Sequence, residues 1–192
     1  MDAAYALIWE YSYGAVTIDA ICERAGVKKG SFYYFFESKS DLTFVTIDAW
    51  CQQRAALIRE MFRPEVPPLE RIRSYLNRVA ESQIKGFETN GQILGCPMYT
   101  VGAEICTQDE RIRDRICQFL EDVNHYIEGA IAEAQATGEV EGNDPVLKAR
   151  FLMAYYEGTL TRCRIENNPA YLRSLSSDVM DLIGAKPTFV LG

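Results

Sequence analysis

Two clusters in this 192-residue sequence carry chemistry of their own. The first is Lys28-Lys29-Gly30-Ser31-Phe32-Tyr33-Tyr34, with Lys39 a few residues on. Lysines neutralise phosphates, the hydroxyls of Tyr33 and Tyr34 can bond phosphate oxygens, and Gly30 lets backbone come close to a duplex. The second is Gly95-Cys96-Pro97-Met98-Tyr99, where a thiol stands just ahead of an expected helix start. The helix dipole there favours thiolate, as a sensing cysteine would need; the plainer reading of Cys96 is a small buried residue. The other five cysteines, Cys22, Cys51, Cys106, Cys117 and Cys163, are expected to be reduced packing residues on helices. No pair of cysteines is spaced C-x-x-C, and His125 is the single histidine, so neither a metal site nor a redox motif is expected. No P-loop, no G-x-G-x-x-G and no nucleophile motif occurs. The expectation is a protein that is not an enzyme and needs no cofactor.

The net charge of −7 argues on its face against nucleic acid. The balance is local, however. Residues 24–39 hold Arg24, Lys28, Lys29 and Lys39 against Glu37 alone, a net of +3 inside a 1–48 segment that sums to −3. No apolar run reaches the roughly 20 residues that span a bilayer. The N-terminus lacks a basic n-region and an apolar core, so no signal peptide is read and a cytoplasmic address, away from membranes, is expected.

The elements that must position these clusters all read as helix, because glycine and proline fall as punctuation and period-two alternation is absent. The spacing predicts an all-α chain of about nine helices: 1–12, 18–25, 29–36, 39–62, 68–88, 98–106, 108–137, 145–166 and 169–183. Thr17 and Gly26 read as the N-cap and C-terminal residue of the second. Ser38–Asp41 and Thr107–Glu110 read as capping boxes, and Asp144-Pro145 as a cap followed by Pro at the first helical position. The tail after Gly184 reads as frayed. Leu7, Ile8, Ile18, Ile21, Cys22, Ala25, Val27, Phe32 and Phe36 are enough to close a three-helix core. So small a core must lean on the fourth helix. The functional boundary falls near 46, giving a small domain 1–46 and a larger one 47–192.

Two short helices meeting at Ala25-Gly26-Val27 have the layout of a helix-turn-helix, whose second helix enters the major groove. Val27, Lys29, Gly30, Ser31, Phe32, Tyr33, Phe36, Ser38, Lys39 and Leu42 together resemble the hallmark of the DNA-binding domain of TetR-family regulators. The resemblance implies a homodimer joined through its last two long helices, a ligand cavity in the larger domain, and repression relieved by a small-molecule effector. Carried onto this chain, it implies DNA contacts from Thr17, Lys28, Lys29, Gly30, Ser31, Tyr33, Tyr34 and Lys39. The family usually has residues, often basic, ahead of the first helix, whereas Asp2-Ala3-Ala4 already lies inside it; a record that starts late or a truncated chain would account for this, and the cost of truncation would be N-terminal phosphate contacts. Phe35 stands where the family often has His or Tyr, which removes another. Gly95-Cys96-Pro97 with Gly102 and Glu104 resembles a motif of a subgroup that includes acrylate- and electrophile-responsive regulators.

Trp50, Tyr75, Cys96, Tyr99, Tyr126 and Tyr155 are the candidate effector-binding residues. Tyr156, Arg162 and Arg164 share the eighth helix with Tyr155 and could face ligand or dimer partner. The leading expectation is a repressor that a small molecule releases from a palindromic operator. Within it, Cys96 could act as an electrophile sensor. The competing reading is a helical protein–protein adaptor whose DNA-binding half has decayed; a steep salt dependence of DNA affinity separates the two.

Overall fold

The structure, a computed structural model, describes residues 1–142 and 144–186. Among them are nine α-helices: α1 Asp2–Tyr11, α2 Ile18–Ala25, α3 Lys29–Phe35, α4 Lys39–Met61, α5 Pro68–Asn90, α6 Pro97–Ile105, α7 Glu110–Ala136, α8 Pro145–Glu166 and α9 Leu175–Ile183. The all-α expectation holds. No helix is long and apolar enough to cross a membrane among the described residues.

Local chemistry sets most boundaries. Pro68, Pro97 and Pro145 each stand in the first turn of a helix, where the missing N–H costs nothing. Gly26, Gly91 and Gly184 end theirs in the left-handed region, at φ 66°, 71° and 74°. Three boundaries differ from the sequence pattern. Helix α7 starts at Glu110 rather than near 108, because the Gln108 and Asp109 amides bond the Ile105 carbonyl and finish the turn that closes α6. Its cap is therefore Asp109, which accepts from the Arg111 and Ile112 amides, and not Thr107. The stretch expected as one helix over 169–183 is broken: Ala170–Leu172 forms a 3-10 turn before α9 begins. The Asn168 side chain accepts from the Ala170 amide, and the Ser174 hydroxyl bonds Asp178. Ala185 and Lys186 are not frayed, since Ala185 bridges antiparallel to Val140 and the Lys186 amide donates to Glu139. The rest of that tail lies outside the described residues.

The chain packs as two compact units, Met1–Ala56 with Cys96–Leu120, and Leu57–Gly95 with Glu121–Gly192. This is a division of packing, in which α6 and the start of α7 join the unit of α1–α3. In the first unit Leu7, Ile21, Phe32, Leu42, Cys51 and Val101 are buried. The three-helix core thus leans on α4, and on α6 as well. Ala25 and Val27 are not part of that core; both are exposed, because the tight turn carries them outward. Ile18 and Phe36 are half-buried. In the second unit Ile72, Leu76, Ile131, Leu152, Leu160 and Leu175 are sealed from solvent. Buried Arg71 holds that unit's turn before α5 by donating to the Val66 and Pro64 carbonyls and pairing with Glu133 at 2.9 Å.

Candidate nucleic-acid interface

Thr17 opens α2 by accepting the Ala20 amide at 3.1 Å. At the other end Gly26 takes φ 66°, while its amide bonds Glu23 and the Val27 amide reaches back to Cys22. This closed motif satisfies the last carbonyls of α2 and turns the chain sharply. Lys28 is extended, and α3 begins at Lys29. Phe32 anchors α3 inward, with the Phe36 ring 5.7 Å away and Tyr33 edge-on at 5.1 Å.

With Phe32 buried, the helical repeat turns the other side chains out. Tyr33 is 53% exposed, Tyr34 83% and Phe35 71%, and Lys28, Lys29, Gly30 and Ser31 are all exposed. A Cβ on Gly30 would meet nothing within 4 Å. The surface is thus a basic, hydroxyl-bearing and aromatic face on a helix held by its turn. Lys29 is not a bare cation: its ammonium lies 2.8 Å from Asp19 across α2 and α3. The Asp19 hydrogen bond, then its charge, raise the Lys29 pKa. Both partners are exposed, so the pair contributes little stability.

Lys39 departs most from its expected phosphate contact. Its ammonium donates to the Tyr13 and Val16 carbonyls, each at 2.8 Å, and lies 4.1 Å above the Tyr13 ring. Burial lowers its pKa. Two of its three donors therefore fasten the α1–α2 turn to the start of α4. Around it the first turn of α4 is bracketed by contacts that sequence reasoning missed, because their partners lie some 70 positions away. Ser40 donates to Asp109, and Arg111 reaches Asp41 at 3.8 Å and stacks over Phe44. The Ser40 hydrogen bond holds the Asp109 carboxyl below its ordinary range. The Ser38–Asp41 capping box forms in a variant way: Ser38 accepts the Asp41 amide, but Asp41 returns its bond to the Glu37 amide.

The expected effector residues divide between the units. Trp50, Cys96 and Tyr99 belong to the first. Trp50 stacks on Tyr5, meets Phe119 edge-on and lies under the Arg54 guanidinium. Burial pushes the Tyr5 hydroxyl well above its usual range. Cys96 is half-buried at the N-cap of α6, and Tyr99 is 37% exposed. In the second unit Tyr75 and Tyr126 both meet the Phe62 ring, and Tyr75 also meets buried Tyr156. Tyr155 stands apart on the outer side of α8, donating to Asp178. Arg162 lies over Tyr171, and Arg164 donates to the Leu94 carbonyl. Of the five packing cysteines, Cys22, Cys51 and Cys163 are buried and Cys106 half-buried; Cys117 is exposed, on the outward side of α7. His125 is exposed, its ring nitrogen at 2.9 Å from the Glu121 carbonyl, and no group of metal ligands assembles among the described residues.

A short helix, a left-handed glycine turn and a second helix with an exposed basic and aromatic face define a helix-turn-helix protein. The chain belongs to the tetR family of bacterial regulatory proteins: that family's N-terminal model matches residues 1–44, and the tetracyclin repressor-like C-terminal domain matches 68–178. It is thus a DNA-binding transcriptional regulator. It is 31% identical to the transcriptional regulator AcuR of Cereibacter sphaeroides over 87% of this chain and 75% of that one. The HTH-type transcriptional repressor DhaR of a Mycobacterium species is 27% identical over 83% and 77%. A crystal structure of a regulatory protein TetR from Rhodobacter sphaeroides superposes with a TM-score of 0.81, at 29% identity, over 94% of this chain and 95% of that one.

Proposed function

We propose that the protein is a homodimeric repressor that grips a palindromic operator through α3 and lets go when a small molecule binds its larger part. Residues 1–46 form the DNA-binding part and 47–192 the effector and dimer part. The observation that carries this reading is the exposed Lys28–Tyr34 face on a helix fixed by the Gly26 turn. Thr17, Lys28, Lys29, Ser31, Tyr33 and Tyr34 contact phosphate and sugar, and Gly30 lets the helix sit deep in the groove. Lys39 supports the interface chiefly by holding the α1–α2 turn. The relative DhaR is itself described as a repressor. The aromatic cluster of Phe62, Tyr75 and Tyr126 offers the apolar surface that small-molecule sites use. The effector acts only as far as it prefers the conformation that fits DNA poorly. A cytoplasmic address goes with operator binding.

The test is selection from random duplex DNA at about 150 mM salt, a physiological ionic strength. Expected is a palindromic consensus whose half-sites lie about one helical turn, 34–36 Å, or a multiple of it apart. Affinity for it should fall steeply as salt rises. Recovery of no consensus, or affinity indifferent to salt, would favour the adaptor reading.

A further inference from the structure

The turn between α1 and α2 holds a backbone conformation that its side chain does not favour. Ser12 ends α1 at φ 93° and ψ 152°. That region is essentially reserved for glycine, and another residue stays there only where its surroundings over-determine the chain. The surroundings here are specific hydrogen bonds. The Ser12 amide donates to the Ile8 carbonyl at 3.0 Å and finishes α1. From α4, the Lys39 ammonium takes the Tyr13 and Val16 carbonyls. From α6, the Glu104 carboxylate accepts the Gly14 amide at 3.0 Å. One helix thus grips the turn by its carbonyls and another by an amide.

Glu104 stands on a helix that is itself held. Met98, Val101 and Ile105 bury one side of α6, and Met98 and Val101 share a small apolar cavity with Ile8 and Trp9 of α1. The turn leads straight into buried Val16 and Thr17, the N-cap of α2. A shift at Ser12–Gly14 therefore reaches α2 within a few residues. By charge alone a carboxylate in this unit repels phosphate. What Glu104 offers DNA binding is its bond to Gly14.

We propose that Glu104 and Ser12 are positioning residues for DNA binding: Glu104 holds the α1–α2 turn in the strained form that sets Thr17 and α2, and loss of its bond lets Ser12 relax and α2 move. The proposal rests on the operator-binding reading above. It gives α6 a direct hold on the DNA-binding helices, in addition to the hold that Lys39 of α4 supplies.

The experiment measures affinity of the full-length protein for the duplex consensus it retains. Glu104→Ala should weaken binding by about tenfold, the order of ratio that one strained residue represents. This is opposite in sign to the gain that loss of a negative charge brings by electrostatics alone. Glu104→Gln loses the charge but keeps an acceptor oxygen, and should bind at least as tightly as the unaltered protein. Glycine adopts the Ser12 conformation without steric cost, so in a Ser12→Gly background Glu104→Ala should cost at most about twofold. Unchanged or tighter binding by Glu104→Ala would overturn the positioning role and leave operator binding standing. An equal loss in Glu104→Gln would overturn the hydrogen bond as its means, and an equal loss in both Ser12 backgrounds would overturn the part given to strain. Failure of the unaltered protein to retain any consensus would overturn the operator-binding reading and this proposal with it. Hydrogen exchange of the unaltered protein needs no variant: the Gly14 amide should be protected, and exchange at the rate of an unstructured amide would overturn the proposal.

Discussion

Asp109 joins two elements through one carboxylate. It caps α7, accepts from Ser40 in the first turn of α4, and lies 3.7 Å from Arg111. Asp109→Ala removes the cap and should destabilise the protein by about 1 kcal/mol in denaturant unfolding. Asp109→Asn keeps a capping oxygen but loses the charge. The folded carboxyl titrates below its unfolded value, so its contribution is fully present above the ordinary carboxylate range and is lost as pH falls through the folded pKa. Stability followed from pH 6 downward should therefore fall less steeply over that acid range in Asp109→Asn than in the unaltered protein. Parallel acid limbs would refute the assignment. Asp109 was legible as a helix-start residue but not as the cap itself, and its bond to Ser40 was not legible at all. Lys39 shows the same limit. Its motif position is plain in the sequence, but the carbonyls it binds are set by how the α1–α2 turn packs.

The turn and α3 work as a unit because two glycines in it do different things. A Cβ at Gly26 or at Gly30 would meet no neighbour within 4 Å. Only Gly26 has a positive φ, 66°, which costs an L-residue roughly 1–2 kcal/mol. Gly26→Ala should therefore lower stability by about that much. Gly30→Ala should leave stability unchanged or slightly raised, since alanine favours helix by up to about 1 kcal/mol, while weakening DNA binding. Thermal melts and operator titrations of the two variants separate these outcomes; equal loss of stability in both would contradict them. The helix-turn-helix was the most legible part of the chain, since Thr17, Gly26 and Phe32 act on neighbours within a few positions. The break at Ala170–Leu172 was less so, because helical spacing continues across it while the Asn168 and Ser174 side chains bond the backbone and Asp178 locally. The placement of the candidate effector residues was least legible: aromatic type does not say which unit a ring joins.

At the level of the assembly, α8 presents Leu147, Phe151 and Tyr155 at four-residue spacing, exposed at 42%, 52% and 38%. Residues so spaced share one helix face. We expect this face to meet its counterpart in the homodimer proposed above. Phe151→Glu should then halve the mass seen by light scattering and weaken binding to a two-half-site operator far more than to a single half-site. An unchanged mass would remove α8 from the dimer contact. Charge has a further consequence through the Asp19–Lys29 bridge. In free diffusion that bridge cancels one cation on the surface that meets DNA, while the whole chain carries −7. On the proposed reading random duplex exerts little pull. In the operator complex proposed above, phosphate competes with Asp19 for Lys29, so a charge paired in the free protein becomes available at the target. On that reading the protein scans the genome by many brief landings, and the few operators gain a longer residence time.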